Sequence, residues 1–202
     1  MHHLTDTPEQ LEDIYAASKE AGYPDRVLMF ASTSKVTFAG SGLAAMAASE
    51  NNLNVFRKQL SIQTIGSDKL NQLRHVRFFK DAAALDEHMK KHAAIIKPKF
   101  EQVLKAFDEH LDGKQIAEWS RPAGGYFISL DTLDGCAKAV VRLAAEAGVK
   151  LTGAGATFPY GIDPRDRNIR IAPSFPSLSE LKTAMDIFCI CLEMVSIEKN
   201  NG

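Results

Sequence analysis

Apolar and polar positions follow two different periods along this chain. Thr7-Pro8-Glu9-Gln10 has the form of a helix start, with Thr7 able to cap, Pro8 suited to the first turn and Gln10 able to close a capping box. Leu11, Ile14 and Tyr15 then share a face, and Gly22 and Pro24 end the helix. Val27–Ala31 is a short unbroken apolar run, which predicts a strand buried on both faces. Ser32-Thr33-Ser34-Lys35 and a Gly40-Ser41-Gly42 loop follow it, and Leu43–Ala48 reads as either a strand or the start of a buried helix. Helices are expected from Ser49 to about Leu60, from Ser67 to Phe79, and from Ala82 to Leu111. The last carries a stripe of Leu85, Met89, Ile95, Ile96, Val103, Leu104, Phe107 and Leu111, with Pro98 expected to kink it.

Beyond Gly113 the period changes. Strands are expected at Ile116–Trp119, Tyr126–Leu130, Val149–Leu151 and Asn168–Ala172, with a helix over about Leu133–Ala147. A Pro-Ala-Gly-Gly turn occupies 122–125, and a Gly/Pro/Asp-rich loop runs from Gly153 to Arg167. Ser177-Leu178-Ser179-Glu180 is a capping box for a final helix with the stripe Leu181, Met185, Phe188, Leu192 and Val195. The fold class is α/β. Residues 1–80 read as part of an α/β layer, 81–112 as a kinked connecting helix and 113–202 as a small α+β domain. One or two strands with three helices make too little sheet to stand alone, so the first unit is expected to need covering from elsewhere.

Composition narrows the function. There are 24 basic and 25 acidic residues and a net charge of -1, which gives no electrostatic reason to expect nucleic-acid or membrane binding. No apolar run approaches the roughly 18 residues needed to span a bilayer. The N-terminus lacks the form of a secretory signal. Three cysteines (Cys136, Cys189 and Cys191), an odd count, argue against a disulfide framework and make a reducing cytoplasm the default. Cys189 and Cys191 should point to different faces of a helix, with core packing for at least one. His88 and His92 are four apart on a helix, but without a third ligand at a metal-like spacing they read as a solvated face, and no metal is expected.

Two residues carry candidate chemistry. Lys35 lies just past the end of a strand, where ligands bind in open α/β sheets, among hydroxyls and ahead of a glycine-rich loop. Hydroxyls and backbone N–H groups suit a phosphate, and a lysine amine suits a Schiff base, which together favour pyridoxal 5'-phosphate (PLP). Taken alone, the segment reads as a polar loop with a surface lysine. Arg170 alternates with Ile169 and Ile171, so it lies on the opposite face from them, where a guanidinium could fork a carboxylate. Taken alone, it reads as a surface arginine pairing with Asp163 or Asp166.

Ser32-Thr33-Ser34-Lys35 resembles the S-x-S-K signature of fold-type I, class I/II aminotransferases. Arg121-Pro122-Ala123-Gly124-Gly125-Tyr126-Phe127 resembles their Pro-x-Gly-Gly-Tyr/Phe-Phe turn, and Asn168-Ile169-Arg170-Ile171-Ala172 their carboxylate-binding strand. The three occur in the family order, with Arg170 135 positions after Lys35. Val36–Gly42 and Gln63-Thr64-Ile65-Gly66 are similar to the MocR-related, aspartate aminotransferase-type branch. The resemblance covers nearly the whole chain. It implies the PLP-transferase fold, with the C-terminal part of the large domain followed by the small domain. It also implies amino transfer between an amino acid, aspartate or glutamate by branch, and a 2-oxo acid. Lys35 becomes the Schiff-base lysine and general acid/base, and Arg170 the clamp on the substrate carboxylate.

The resemblance further implies that Ser32 and Ser34 contact the cofactor, that Gln63 and Thr64 contribute across a homodimer, and that Tyr160 lies near substrate. Two departures stand out. Leu43 occupies the place where many family members carry a phosphate-binding arginine. The family's ring-nitrogen aspartate, phenolic-oxygen tyrosine, ring-stacking residue and glycine-rich phosphate segment all precede the part that matches. The chain is therefore expected to be the C-terminal half of an aminotransferase and inactive alone. Two other readings stay open: a PLP-binding regulatory module of MocR type, though its N-terminal helix-turn-helix is not present, and a non-catalytic fragment of a split or truncated gene.

Overall fold

A computed structural model describes Leu4 and residues 11–201. The Thr7–Gln10 helix start lies outside the described residues. The described residues divide into two compact units, 11–89 and Leu4 with 90–201, and the division falls inside one helix.

In the N-terminal unit, α1 (Ile14–Glu20) is capped by Asp13, whose carboxylate accepts from the amides of Tyr15 and Ala16. Strands β1 (Leu28–Ser32) and β2 (Ala44–Ala48) form an antiparallel pair, from Leu28 opposite Ala48 to Ser32 opposite Ala44. Leu43–Ala48 thus resolves as strand. The expectation of burial on both faces fails, since all five β1 residues are exposed and Phe30 retains 70% of its surface. An apolar run reports that a strand is built to be covered, not that the cover is in the same unit. Helix α2 (Glu50–Gln63) starts at a Ser49 cap and runs three residues past Leu60, and α3 (Lys69–Phe79) starts at an Asp68 cap.

Helix α4 (Ala82–His110) begins where the Asp81 carboxylate accepts from the Ala84 amide, and it continues through Pro98. In the C-terminal unit it buries Ile96, Phe100, Val103 and Phe107, at steps of four, three and four. Phe100 belongs to this stripe, whereas Ile95 is exposed, against expectation. Strands β3 (Ala117–Trp119), β4 (Ile128–Thr132) and β5 (Asn168–Ile171) form an antiparallel sheet in the order β3-β4-β5. Leu130 opposes Ile169 and Ile128 opposes Ile171, and these four residues face the core. Helix α5 (Ala137–Glu146) and helix α6 (Leu178–Asn201) pack with them, and all five residues of the expected α6 stripe are buried.

The α6 capping box forms as the sequence indicates. The Ser177 amide donates to the Glu180 carboxylate at 2.8 Å, and the Glu180 amide donates to Ser177 Oγ at 3.3 Å. Val149–Leu151 is not a strand. Gly148 takes a φ of +92°, and the Val149 amide turns back to the Ala144 carbonyl at 2.8 Å, closing α5 in a Schellman arrangement. Cys189 and Cys191 are both buried, and they join two different apolar clusters. His88 is half-buried rather than solvated, packing edge-on against Phe78 and Phe79.

Candidate cofactor and substrate site

Lys35 lies in a turn that begins where β1 ends. The Thr33 amide donates to the Leu43 carbonyl at 2.8 Å, and the Leu43 amide donates to Thr33 Oγ1 at 2.7 Å, so the 33–43 loop is closed by a reciprocal pair. Within it, the amides of Val36 and Thr37 both donate to the Thr33 carbonyl, at 2.8 and 2.9 Å. Ser32 Oγ and Ser34 Oγ are 2.7 Å apart, and both residues are exposed beside the exposed Lys35. Gly42 makes this geometry possible. A Cβ there would stand 2.6 Å from Ser34 Oγ and 2.9 Å from Ser34 Cα, so any side chain would push the loop open.

The second half of the loop is held from α3. Asn71 Nδ2 donates to the Ser41 carbonyl at 2.9 Å, and an Arg74 guanidinium nitrogen donates to Ser41 Oγ at 3.1 Å. His75, also on α3, is buried, with Nε2 2.8 Å from Thr37 Oγ1. None of these three residues belongs to a motif of the sequence. Their one local signal is the spacing of Asn71 and His75, which places two polar groups on the same face of α3.

Gln63 and Thr64 close α2. Gln63 is exposed, and the Thr64 hydroxyl donates to the Gly66 carbonyl at 2.8 Å rather than to the lysine turn. Neither residue is hydrogen-bonded to the Lys35 loop. Tyr160 is 99% exposed, on a turn where its φ is +58°.

Arg170 belongs to the C-terminal unit, on the sheet face away from the core. Ser129 is its cross-strand neighbour, and Asp131 opposes Asn168 on the same face. Asn168 Nδ2 donates to Ser129 Oγ at 2.9 Å and to Asp131 Oδ1 at 2.7 Å, while its carbonyl oxygen accepts from the Thr157 hydroxyl at 2.6 Å. Arg167 donates to the other Asp131 oxygen at 2.6 Å. The Asp163 carboxylate accepts the backbone amides of Arg165, Arg167 and Asn168 at 3.0, 2.8 and 2.8 Å. Burial pushes the Asp163 carboxyl up, but these amides outweigh it and hold the group below the usual carboxylate range. Asp163 is therefore committed to backbone and does not pair with Arg170. Instead the guanidinium carbon of Arg170 lies 4.4 Å from the centre of the Phe127 ring, and its Nε is buried with no acceptor among the described residues. Arg170 also lines a cavity of about 720 Å³ shared with Leu151, Pro173 and Met185.

The sequence model of the family described as aspartate amino-transferase matches residues 1–202. The chain belongs to that family. It is 43% identical over 198 residues to the aspartate aminotransferase of Corynebacterium glutamicum, covering 98% of this chain and 46% of that one. A solved aspartate transaminase from the same organism superposes with a TM-score of 0.93 at 43% identity, over 98% of this chain and 47% of that one. The α-aminoadipate aminotransferase of Thermus thermophilus, solved with N-(5'-phosphopyridoxyl)-L-leucine, superposes with a TM-score of 0.77 at 20% identity, over 96% of this chain and 48% of its own. That likeness shows the fold alone. The fold is the α/β fold of the aminotransferases, and the chain spans about half the length of the relatives it matches.

Proposed function

We propose that this chain is the C-terminal half of a PLP-dependent aminotransferase that moves an amino group between aspartate or glutamate and a 2-oxo acid. Residues 1–80 belong to the cofactor domain, 81–112 to the connecting helix and 113–202 to the small domain. The observation that carries the reading is the buried Nε of Arg170, without an acceptor among the described residues, in a stacked guanidinium. Every other polar group named on that sheet face has a partner, and a buried donor left alone costs stability unless a ligand satisfies it. A substrate carboxylate supplies two oxygens in the geometry of that fork. The name of the Corynebacterium glutamicum relative supports a dicarboxylic amino acid, and membership of the MocR-related branch is part of the same proposal.

The lysine turn fits the cofactor. Gly42 keeps the loop closed on Ser34, which leaves the Ser32 and Ser34 hydroxyls together beside Lys35 to receive a phosphate. When bound, PLP supplies an electron sink for the charge that develops at the substrate carbon. Lys35 holds the cofactor and moves the proton at the substrate Cα, and Arg170 fixes the carboxylate so that the Cα–H bond is oriented. Gln63 and Thr64 contribute from the second copy of a homodimer, and Tyr160 faces substrate from the 153–167 loop. Three buried, unbridged cysteines support a reducing compartment, taken as the cytoplasm. Among the described residues no helix is long and apolar enough to cross a membrane.

The test is borohydride reduction of the PLP-treated full-length protein, followed by peptide mapping. A pyridoxyl group on Lys35 is expected. A label on another lysine with Lys35 clean overturns the assignment.

A further inference from the structure

We infer that His75 is a positioning residue for Lys35, acting through Thr37; the inference rests on the reading of Lys35 as the cofactor lysine. Ser34 and Lys35 are exposed at the tip of the lysine turn, where few apolar contacts hold the backbone. The turn is attached to a buried side chain. His75 is 6% exposed and packs its ring against Phe38, at 5.0 Å and 70°, with Phe79 on the same side chain at 6.3 Å. Its Nδ1 lies 2.8 Å from the Asn71 carbonyl. A carbonyl oxygen only accepts, so Nδ1 carries a hydrogen and the ring is fixed in place by its own helix. The opposite nitrogen, Nε2, then faces Thr37 Oγ1 at 2.8 Å.

Thr37 is the joint. Its hydroxyl lies within reach of His75 Nε2, of the Thr33 carbonyl at 3.2 Å and of Thr33 Oγ1 at 3.1 Å. Thr33 Oγ1 in turn accepts the Leu43 amide that closes the loop. The route from α3 to the loop closure is therefore His75, Thr37, Thr33 and Leu43, and Lys35 sits between the two threonines. A histidine whose other nitrogen is locked to backbone sets where Thr37 stands, and Thr37 and Thr33 set the backbone on both sides of Lys35. The reaction needs the lysine amine held at one place through two proton transfers, which a loosely held surface turn does not supply.

Three variants of the full-length protein test this: His75→Phe keeps the ring packing and removes both nitrogens, His75→Gln keeps a polar group in reach of Thr37, and Thr37→Val removes the joint from the other side. The first readout, without cofactor, is amide hydrogen exchange. In His75→Phe the Leu43 and Thr37 amides should exchange about tenfold faster while amides of the C-terminal unit are unchanged. The second, with PLP and an amino acid, is that kcat falls about tenfold while KM stays the same. Thr37→Val should reproduce both changes, and His75→Gln should recover most of each. If His75→Phe does not fold, Thr37→Val decides alone. Unchanged exchange at Leu43 and Thr37 in the folded variants overturns the inference. So does a fall in kcat that His75→Gln and His75→Phe share equally. If borohydride mapping of the wild-type protein places the label elsewhere than Lys35, the cofactor reading fails, and with it the role in the reaction, while the exchange data separately report whether His75 holds the turn.

Discussion

Replacing Gly42 by alanine is the sharpest probe of the lysine turn. The added Cβ would meet Ser34 Oγ at 2.6 Å, Ser34 Cα at 2.9 Å and Ser34 N at 3.0 Å. The hydroxyl can rotate away, at the expense of its 2.7 Å contact with Ser32 Oγ. The Cα cannot. Ordinary contact begins near 3.4 Å, so the backbone at Ser34 must retreat by about 0.5 Å. Overpacking of this kind costs about 1–3 kcal/mol, and an exposed loop that can yield should sit near the lower end. Stability should therefore fall little, by about 1 kcal/mol. The larger effect is on Lys35, the next residue. A misplacement of about 1 Å costs about a hundredfold in rate, so half of that predicts a loss of about tenfold in kcat/KM, with weaker PLP binding. The assay is PLP titration by absorbance and steady-state transamination of the full-length protein, alongside its melting temperature. Gly66→Ala is the control, because its Cβ would meet nothing within 4 Å. If Gly42→Ala matches wild type in both PLP affinity and kcat/KM, the close approach of Gly42 to Ser34 does not shape the site.

Arg170→Lys keeps the charge and loses the fork, so kcat/KM for amino acids should drop about 10- to 100-fold with PLP still bound; loss of PLP absorbance would instead make the arginine structural. Asp163 is held below its ordinary value of 3.8, so the stability it contributes is present above that pH and is lost as pH falls through the lowered value. Asp163→Asn should therefore weaken the C-terminal unit at neutral pH and flatten its acid-unfolding curve, and an unchanged curve by circular dichroism would refute the amide clamp. Burial pushes the Cys189 thiol from 9.0 up to about 12, so at pH 8.5 native protein should resist iodoacetamide at Cys189, and unfolding should release it. Because the unfolded thiol ionises first, the same group should lower stability as pH rises from 9.0 towards about 12. Residues 1–202 alone should bind PLP weakly and show no amino transfer; saturable activity lost in Lys35→Ala would show that this stretch is sufficient.

What could be read from the sequence divides by the range of the interactions involved. The Ser177–Glu180 capping box and the α6 stripe were legible because their determinants lie within one or two helical turns. Arg170 was placed on the outer face by the period of a strand alone, and the register with Ser129 agrees. Val149–Leu151 has the composition of a strand, but Gly148, the C-terminal glycine of α5, draws the Val149 amide into the helix end, and composition does not show that competition. The role of α3 in holding the lysine turn was invisible, since His75 and Thr37 are 38 residues apart and nothing local to either names the other.

The open β1–β2 pair divides the chain's tolerance to mutation. In the C-terminal unit an apolar position is enforced by neighbours in the same chain, so replacing Phe107 or Phe188, both fully buried, lowers stability by about 3–5 kcal/mol in any context. At Phe30, which keeps 70% of its surface, the described residues of this chain exert little such pressure. A polar residue there should leave this stretch as stable as before, and more soluble, because it removes apolar surface from water. In a longer protein that covers the strand, the identical substitution would bury a polar group without a partner. A deep mutational scan of residues 28–32 and 44–48, run once for stability of this stretch and once for function of the full-length protein, should therefore return opposite preferences at the same positions.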